Sequence, residues 1–175
     1  MCGRHAVSAG AVGADVWRVR FGRVLVWGRL MTACRYIEQM RTISLKLAHE
    51  CARVELESGS SDWDMEHLVE YLRTGAAFGK SVIDSDEKTV LGYMAYRIVG
   101  DVVDVGRIIV HPDSRRKGVA TAMLARLKEK VGHNGIKRVW IEVPEPDVAM
   151  YCCLKLSGFS AAPCSDGPAL FCYEV

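Results

Sequence analysis

The sequence predicts a single domain of mixed α/β class, on the evidence of its size, its composition and the order of its hydrophobic patterns. The chain has 175 residues, of which 50% are hydrophobic and 25% are charged. These are the proportions of one ordinary globular domain with a full-sized core. From residue 34 onward, runs with strand-like patterning are interleaved with runs of helical spacing. The predicted order is a strand, two helices, three strands, a helix, a strand, a helix and two strands.

The first predicted strand and the two helices that follow it occupy residues 34–75. Residues 34–40 read as a short strand, and helical spacing of small and aliphatic side chains predicts a helix over residues 42–57. Asp62 and Asp64 supply N-cap chemistry for a second short helix, which ends near Gly75.

Three strands are predicted next, and the last two form a hairpin. A strand over residues 78–83 is followed by a polar turn and by the β-rich run Val90–Val99. Gly100 and Asp101 provide the two-residue turn of a hairpin, with glycine first as a type II′ turn requires. The partner strand is Val102–Val110.

The strongest helix in the sequence begins near Ala120. Its apolar side chains recur at i, i+3, i+4, i+7 and i+11, which is amphipathic helical spacing. Gly132 and Gly135 end this helix, and Arg138–Val143 reads as a buried strand. The apolar positions are Ala120, Met123, Leu124, Leu127 and Val131.

The C-terminal part predicts one more helix and a closing hairpin. Asp147 can cap a helix that continues to about Ser157, and Gly158 stops it. Residues 160–164 and 169–175 then read as two strands joined at the turn Asp166-Gly167.

Charge and hydropathy exclude two broad classes of function. Lys and Arg total 23 against 21 Asp and Glu, a net charge of +2, so nothing marks the chain as a general binder of polyanions. No uncharged stretch approaches the ~18 apolar residues that a membrane-spanning helix requires. We therefore expect a cytoplasmic protein that does not partner with a membrane, and we do not expect nucleic acid as its partner.

The cysteines predict neither a disulfide framework nor a metal site. A domain of this size holds together by burial, and the sequence has no Cys-x-x-Cys pair and no Cys/His cluster at zinc spacing. We expect reduced, mostly buried thiols in a reducing cytosol. The seven cysteines are Cys2, Cys34, Cys51, Cys152, Cys153, Cys164 and Cys172.

Residues 1–30 differ in composition from the rest. They hold five arginines and the single acid Asp15, in a Gly, Ala and Val background without a clear period. Several interpretations are open: the segment is a targeting peptide, it is a basic arm that contacts nucleic acid, Met31 or Met40 is the true start, or the segment is a loosely held extension. We treat residues 1–30 as an atypical, poorly ordered basic extension and residues 31–175 as the folded domain.

A basic glycine turn at residues 115–118 is the first candidate functional feature. It lies between a predicted strand and the start of the strongest helix. Backbone N–H groups at a helix N-terminus are unpaired and lie at the positive end of the helix dipole, which suits phosphate oxygens. Gly118 lets the backbone approach a ligand closely. The alternative is an ordinary basic loop that leads into a helix.

The residues around this turn resemble a known family. Residues 106–113, followed by residues 115–120, resemble the acetyl-CoA motif of the GNAT superfamily of N-acetyltransferases, and residues 34–175 follow that fold's order of elements. The resemblance implies an α/β (α+β) GNAT fold, with a central mixed, mostly antiparallel sheet of six to seven strands and about four helices. Residues 142–159 are most similar to the ribosomal-protein alanine N-acetyltransferases, with a strand ending in Glu-Val and a helix followed by Gly-Phe.

The resemblance also implies roles for individual residues. Glu142 falls where the family has its general base. Three residues of the preceding strand would pair their backbone with the pantetheine arm of acetyl-CoA, and the amides of residues 116–121 would hold its pyrophosphate. Acetyl-CoA is thus the implied cosubstrate, and no metal is implied. The implied cofactor-binding residues are Ile108, Ile109, Val110, Arg115, Arg116, Lys117, Gly118, Val119, Ala120, Thr121 and Asp147.

Two positions depart from the family pattern. Asp147 stands where asparagine is usual, which is a mild change because either side chain caps a helix. Leu154 stands where the family has the tyrosine that protonates the departing thiolate. Tyr151 lies three residues earlier on the same helix and is a candidate substitute for that acid. The alternative for Tyr151 is a tyrosine of the core or its rim.

Together these features predict transfer of an acetyl group from acetyl-CoA to a primary amine, with the N-terminal α-amine of a protein as the expected acceptor. An α-amine has a pKa near ~8 and is partly neutral at pH 7, so one carboxylate suffices as base. Two alternatives stay open: a catalytically weak acyl-CoA-binding module, and an acetyltransferase for a small-molecule amine. Trp63 is a candidate aromatic contact for the acceptor. The sequence is compatible with a monomer or a homodimer.

Overall fold

The computed structural model describes residues 35–174, except residues 61, 87, 145–146 and 163–167. Within these residues, four α-helices of nine or more residues and seven strands follow the order that the sequence predicts, and short helical turns lie at residues 35–38 and at Pro112–Ser114. The helices are α1 (Leu45–Glu57), α2 (Met65–Arg73), α3 (Val119–Lys128) and α4 (Val148–Leu156). The strands are β1 (Met40–Thr42), β2 (Ala77–Ile83), β3 (Val90–Val99), β4 (Val102–Val110), β5 (Arg138–Val143), β6 (Ser160–Ala161) and β7 (Ala169–Glu174).

All seven strands belong to one mixed sheet, in the spatial order β1-β2-β3-β4-β5-β7-β6. The pairing of β4 with β5 is parallel, and the other neighbouring strands run antiparallel. The expected mixed, mostly antiparallel sheet of six to seven strands is therefore confirmed. The α3 helix provides the crossover that a parallel pair needs.

Local capping explains where three of the helices begin. The side chains of Ser44 and Asp64 accept hydrogen bonds from backbone N–H groups in the first turns of α1 and α2. Asp147 accepts from the backbone N–H of Met150 at 2.9 Å, at the start of α4. Each cap satisfies an amide that the helix itself leaves without a partner.

The sheet is covered by helices on both faces. On one face, α1 and α2 pack on a cluster that includes Leu68 and Tyr93. On the other, α3 and α4 pack on a larger cluster that includes Met94, Leu124 and Leu154. Since β3 is central, its first seven residues are buried in succession, as expected for a strand covered on both sides.

The predicted first strand over residues 34–40 is wrong. Residues 35–38 are helical, and the strand begins only at Met40. Tyr36, Ile37 and Met40 all pack on the α3/α4 cluster, and their spacing of i, i+1 and i+4 suits one helical turn better than an alternating strand. Residue 34 lies outside the described residues.

The closing hairpin is confirmed in part. The β6 strand is shorter than predicted, since it comprises only residues 160–161, but it pairs antiparallel with β7. The predicted turn at Asp166-Gly167 and the basic extension at residues 1–30 lie outside the described residues. Among the described helices, none has both the length and the apolar character that crossing a membrane requires.

Candidate active site

Strands β4 and β5 run side by side for only part of their length. Their paired residues run from Val102 opposite Arg138 to Val105 opposite Ile141. Beyond that point β4 continues to Val110, paired with β3 on its other side. Residues 106–110 therefore present backbone N–H and C=O groups towards an opening, which we call the β4–β5 gap.

A β-bulge at Gly106 marks the point where the gap begins. Arg107 and Val105 pair with consecutive residues of β3, so that Gly106 has no partner across the ladder. A bulge of this kind bends the strand and re-aims the residues that follow it. A Cβ atom at this position would lie 2.8 Å from the hydroxyl oxygen of Tyr71 on α2, so any larger residue would displace the Tyr71 side chain.

The basic turn at residues 115–118 follows the far end of the gap. Arg116 and Gly118 have positive φ angles of 63° and 93°, which turns successive backbone N–H groups in towards one another. No side chain caps α3, and its first internal bond runs from Ala122 N–H to the carbonyl of Gly118. The amides of residues 119–121 are therefore without helical partners, and they suit an anion such as pyrophosphate.

The predicted cofactor-binding residues lie in two places: those of β4 and of residues 115–121 follow one another along the chain into α3, and Asp147 lies at the start of α4. Ile108 and Val110 pack towards the α3/α4 cluster and Ile109 towards the α1/α2 cluster. Arg115 donates from Nε to the carbonyl of Val110 at 3.3 Å, which folds the basic turn back onto the end of β4. Of the remaining predicted residues, Arg116, Lys117 and Thr121 are exposed, Ala120 is half-buried and Val119 is buried, while Asp147 caps α4.

Glu142 lies on β5 directly after Ile141, the last residue that pairs with β4. The side chains of β5 alternate, with Val139, Ile141 and Val143 buried and Glu142 exposed. Glu142 therefore projects from the face opposite to the α3/α4 cluster, at the start of the β4–β5 gap. This face belongs to the same side of the sheet as α1 and α2.

Tyr151 lies on the other side of the sheet from Glu142. Its ring contacts Phe171 edge-on, with ring centroids 5.0 Å apart, and it packs on the α3/α4 cluster. Leu154, where the resemblance leads one to expect a tyrosine, is fully buried in that cluster. The two candidate proton-transfer groups thus approach the sheet from opposite faces.

A buried ion pair next to the gap was not predicted from the sequence. Glu55, at 1% exposure, accepts hydrogen bonds from the hydroxyl of Tyr93 at 2.6 Å and from Arg107 Nε at 2.8 Å. Arg107 Nη2 donates to the other oxygen of Glu55 and, at 2.6 Å, to the hydroxyl of Ser60. Burial acts to lower the pKa of the Arg107 guanidinium, but the hydrogen bonds that Arg107 donates to Glu55, together with the negative charge of Glu55, outweigh burial and raise that pKa.

The sequence contains one local signal for this pair. Glu55 follows Ala48 and Cys51 at i+7 and i+4, so it falls on the buried stripe of α1. A carboxylate on such a stripe needs a partner in the core. That partner, Arg107, is 52 residues away and could not be identified from helical spacing.

A second acidic residue of α1 contacts the end of β4. Glu57 pairs with Nε2 of His111, the residue that follows β4. The other ring nitrogen of His111, Nδ1, accepts from the backbone N–H of Asp113 at 3.2 Å. Nε2 therefore carries the proton and donates it to Glu57.

Aromatic side chains in and just before α2 form a cluster that reaches Gly106 through Tyr71. Trp63 contacts His67 and Tyr71, with ring centroids 4.9 and 4.8 Å apart. The guanidinium of Arg97 lies 5.5 Å from the centroid of the Tyr71 ring. Trp63 is half-buried against the α1/α2 cluster, so it anchors the start of α2 while keeping part of its ring accessible.

In the part of the chain that the structure describes, no three His, Cys, Asp or Glu side chains are grouped to hold a metal ion. What the arrangement provides is an open strand edge that leads to a helix N-terminus. This arrangement is suited to an extended, phosphate-bearing carrier. The family comparison agrees: the acetyltransferase (GNAT) family model matches residues 45–159, and the chain belongs to that family. The resemblance to the GNAT superfamily and the predicted acyltransferase class are confirmed.

Solved structures with the same fold include enzymes of several kinds. The ribosomal-protein-S18-alanine N-acetyltransferase from Escherichia coli superposes with a TM-score of 0.64 at 17% identity, covering 76% of this chain and 89% of that one. The PaiA N-acetyltransferase from Thermoplasma acidophilum, in complex with coenzyme A, gives 0.63 at 13% identity, covering 78% and 98%. The ribosomal-protein-S5-alanine acetyltransferase from Vibrio fischeri gives 0.60 at 16% identity, covering 77% and 91%.

At these identities the comparisons establish the fold, and they leave the acceptor to be argued from the site. A comparison with curated proteins gives no match.

Proposed function

We propose that this protein transfers the acetyl group of acetyl-CoA to the N-terminal α-amine of a protein. The observation that carries the proposal is the β4–β5 gap, with Glu142 at the point where the strands part and an uncapped helix N-terminus beyond the far end of β4. Two structures of the same fold are named as ribosomal-protein alanine acetyltransferases, which supports a protein acceptor.

The residues along the gap fit acetyl-CoA in shape and charge. The free backbone edge of Ile108, Ile109 and Val110 can pair with the amide groups of the pantetheine arm, as an added strand would. The amides of residues 116–121 converge at the positive end of the α3 dipole, where a pyrophosphate is stabilised. Arg115, Arg116 and Lys117 add positive charge beside it.

The chemistry needs one base and one acid. The neutral amine attacks the thioester carbonyl carbon, a C–N bond forms, and the amine passes a proton to Glu142 directly or through water. As the tetrahedral intermediate collapses, the C–S bond breaks and the thiolate leaves. A backbone N–H on the open edge of β4 is suited to stabilise the oxyanion, because it is fixed in place before the reaction begins.

Tyr151 is the proposed source of the proton that the thiolate takes up. It lies on the face of the sheet opposite to Glu142. The Tyr151 hydroxyl and the Glu142 carboxylate would therefore approach a thioester in the gap from opposite faces of the sheet. A thiolate is a tolerable leaving group, so we expect this proton to accelerate the reaction without being indispensable.

The acceptor would enter on the α1/α2 side, where Glu142 is exposed. Four acidic side chains in and before α2 are exposed there: Asp62, Asp64, Glu66 and Glu70. They favour a cationic amine by long-range attraction, which works on the rate of encounter more than on affinity. Trp63 offers an apolar surface for the residues after the amine.

The catalytically weak acyl-CoA-binding module is the second candidate. The observation that favours it is Leu154, which is fully buried and has no proton to donate. A module of this kind would keep the basic turn and the open edge of β4, but it would not depend on Glu142.

A thiol-release assay with acetyl-CoA tests the proposal. The acceptor panel contains short peptides with free and with acetylated N-termini, together with polyamines, and CoA binding is measured in parallel by calorimetry. Release with free but not blocked peptides is the expected result. Release with polyamines alone would indicate a small-molecule acceptor, and binding of CoA without release would favour the binding module. Absence of CoA binding would overturn the proposal.

A further inference from the structure

The last turn of α1 is joined to β4 at both ends of its unpaired segment. Glu55 bonds to Arg107, the first residue after the bulge at Gly106, and Glu57 bonds to His111, the first residue after β4 ends. Residues 107–111 are thus held on one face by two carboxylates that lie two positions apart in the same helix. On their β5 side the same residues face the gap.

Acidic residues at this end of a helix are unfavourable on their own. The C-terminus of a helix carries the negative end of the dipole, and the last turn of α1 contains no basic residue. Arg53, one turn earlier, lies 3.5 Å from Glu57 but is exposed. The buried carboxylate of Glu55 is stabilised by Arg107 and Tyr93 instead, so its place in the core depends on β3 and β4.

The Glu55–Arg107 pair has the geometry of a rigid connection. Both Nε and Nη2 of Arg107 donate to the two oxygens of Glu55, and a planar fork on a carboxylate fixes orientation as well as distance. Tyr93, the third partner, pairs across the ladder with Ile109. Ser60, which also accepts from Arg107, begins the loop that carries Trp63.

We propose that Glu55 and Arg107 form a positioning pair for acetyl transfer, fixing residues 106–110 of β4 relative to the α1–α2 loop. The inference rests on the proposed function, in which the edge of β4 holds the thioester and the loop faces the acceptor. A strand with one free edge is restrained by fewer neighbours, so its course depends on contacts made from its faces. A displacement of about 1 Å at the reacting centre can cost about 10²-fold in rate.

The test uses Glu55→Met, Arg107→Met and the double variant. Removing one partner leaves a buried charge without its counter-charge and destabilises the fold. Replacing both partners with apolar side chains of similar size often restores the free energy of unfolding. We therefore expect each single variant to have a lowered Tm and the double variant to recover most of it. In the double variant kcat should remain about 10²-fold below the wild type, while the Kd for CoA changes less than about threefold.

The matched control is Lys137→Gln. It removes an exposed ion pair with Asp101 at the turn between β3 and β4, away from the gap, and should leave kcat near the wild-type value. A double variant that regains wild-type kcat along with its Tm would overturn the proposal, because the pair would then serve stability alone.

Hydrogen exchange separates this inference from the proposed function. Backbone amides of residues 106–111 should exchange at least about 10-fold faster in the double variant than in the wild type, whether or not an acceptor has been found. If the wild type releases no thiol, the proposed function fails while the exchange data still decide whether the pair holds β4. Unchanged exchange in this segment would overturn the positioning role.

Discussion

The two edges of β4 differ in how much of their length is paired with a neighbouring strand. Towards β3, the strand is paired along its whole length from Val102 to Val110, with one bulge. Towards β5, pairing ends at Val105, and the next five residues have a free edge. The first edge holds the sheet together, and the second is available to a ligand.

This comparison shows why the residues around β4 are of two kinds. On the closed side they are buried and their polar groups are hydrogen-bonded. Glu55, for example, accepts hydrogen bonds from Tyr93 and from Arg107. On the open side they are exposed, as Glu142 and Arg116 are. Substitutions on the open side should therefore change binding or turnover, and substitutions on the closed side should change stability as well.

The largest effect is expected at Gly118, where the open edge leads into α3. A φ of 93° costs a β-branched residue of order 1–3 kcal/mol, and a side chain there would also crowd the amides beside it. In Gly118→Val we expect the Kd for CoA, measured by calorimetry, to rise about 10³-fold. Gly132→Ala is the control, because Gly132 has a φ of 85° beyond the other end of α3. It should lower the Tm and leave CoA affinity unchanged.

The next effect is expected at Glu142, at the mouth of the gap. Glu142→Gln keeps the shape of the side chain and removes the base, so kcat should fall about 10²-fold while CoA binding stays near the wild type. Glu174→Gln, an exposed acid on β7, is the matched control. Full turnover in Glu142→Gln would rule out this residue as the base.

A smaller effect is expected at Tyr151. Tyr151→Phe keeps the edge contact with Phe171 and removes only the hydroxyl. If that hydroxyl protonates the thiolate, kcat should fall about 30-fold, with the Tm close to the wild type. Tyr173→Phe provides the comparison, since its ring packs on Phe159 at 5.4 Å. Equal activity of the two variants would make Tyr151 a packing residue.

The smallest expected effect is on stability: Cys51, on the closed side, makes a pH-dependent contribution to the free energy of unfolding. Burial, followed by the charges of Glu50 and Glu55, raises the pKa of Cys51 from 9.0 to about 12. Below pH 9 the thiol is protonated in both states. Between pH 9 and about 12 only the unfolded chain releases the proton, so this stabilisation is lost as pH rises.

Urea unfolding of the wild type and of Cys51→Ala measures that contribution. The free energy of unfolding of the wild type, relative to the variant, should fall by about 1.4 kcal/mol for each pH unit above 9. A constant difference between pH 8 and pH 10.5 would show that the thiol titrates alike in both states.

The sequence predicts elements well where their limits are set by local chemistry. The bounds of β3, β4 and β5 agree with the prediction to the residue, since a Gly-Asp turn separates the first two and Pro144 follows the third. Glycine at position 118 permits the left-handed conformation found there, although the residue type alone does not dictate it. The helical turn at residues 35–38 was missed because apolar residues at short range fit two periods.

The features that depend on tertiary packing could not be predicted from local sequence. The β4–β5 gap follows from where inter-strand pairing stops, which no single strand determines. The Glu55–Arg107 pair joins residues that are 52 positions apart in the chain. Local sequence does not distinguish Arg107 from the other basic residues as the partner of Glu55. That Tyr151 and Glu142 lie on opposite faces depends on how α4 packs on β5 and β7.

The outer strands of the sheet bear on how the protein behaves at high concentration. They are short, with three residues in β1 and two in β6, so another chain adding a strand there would gain few backbone hydrogen bonds. A longer free edge, at residues 106–110, lies in the β4–β5 gap, where residues 107–110 are half-buried. Aggregation through strand addition would have to enter this opening, and a molecule bound in it would block that route. Preparations saturated with acetyl-CoA should therefore resist aggregation better than ligand-free ones.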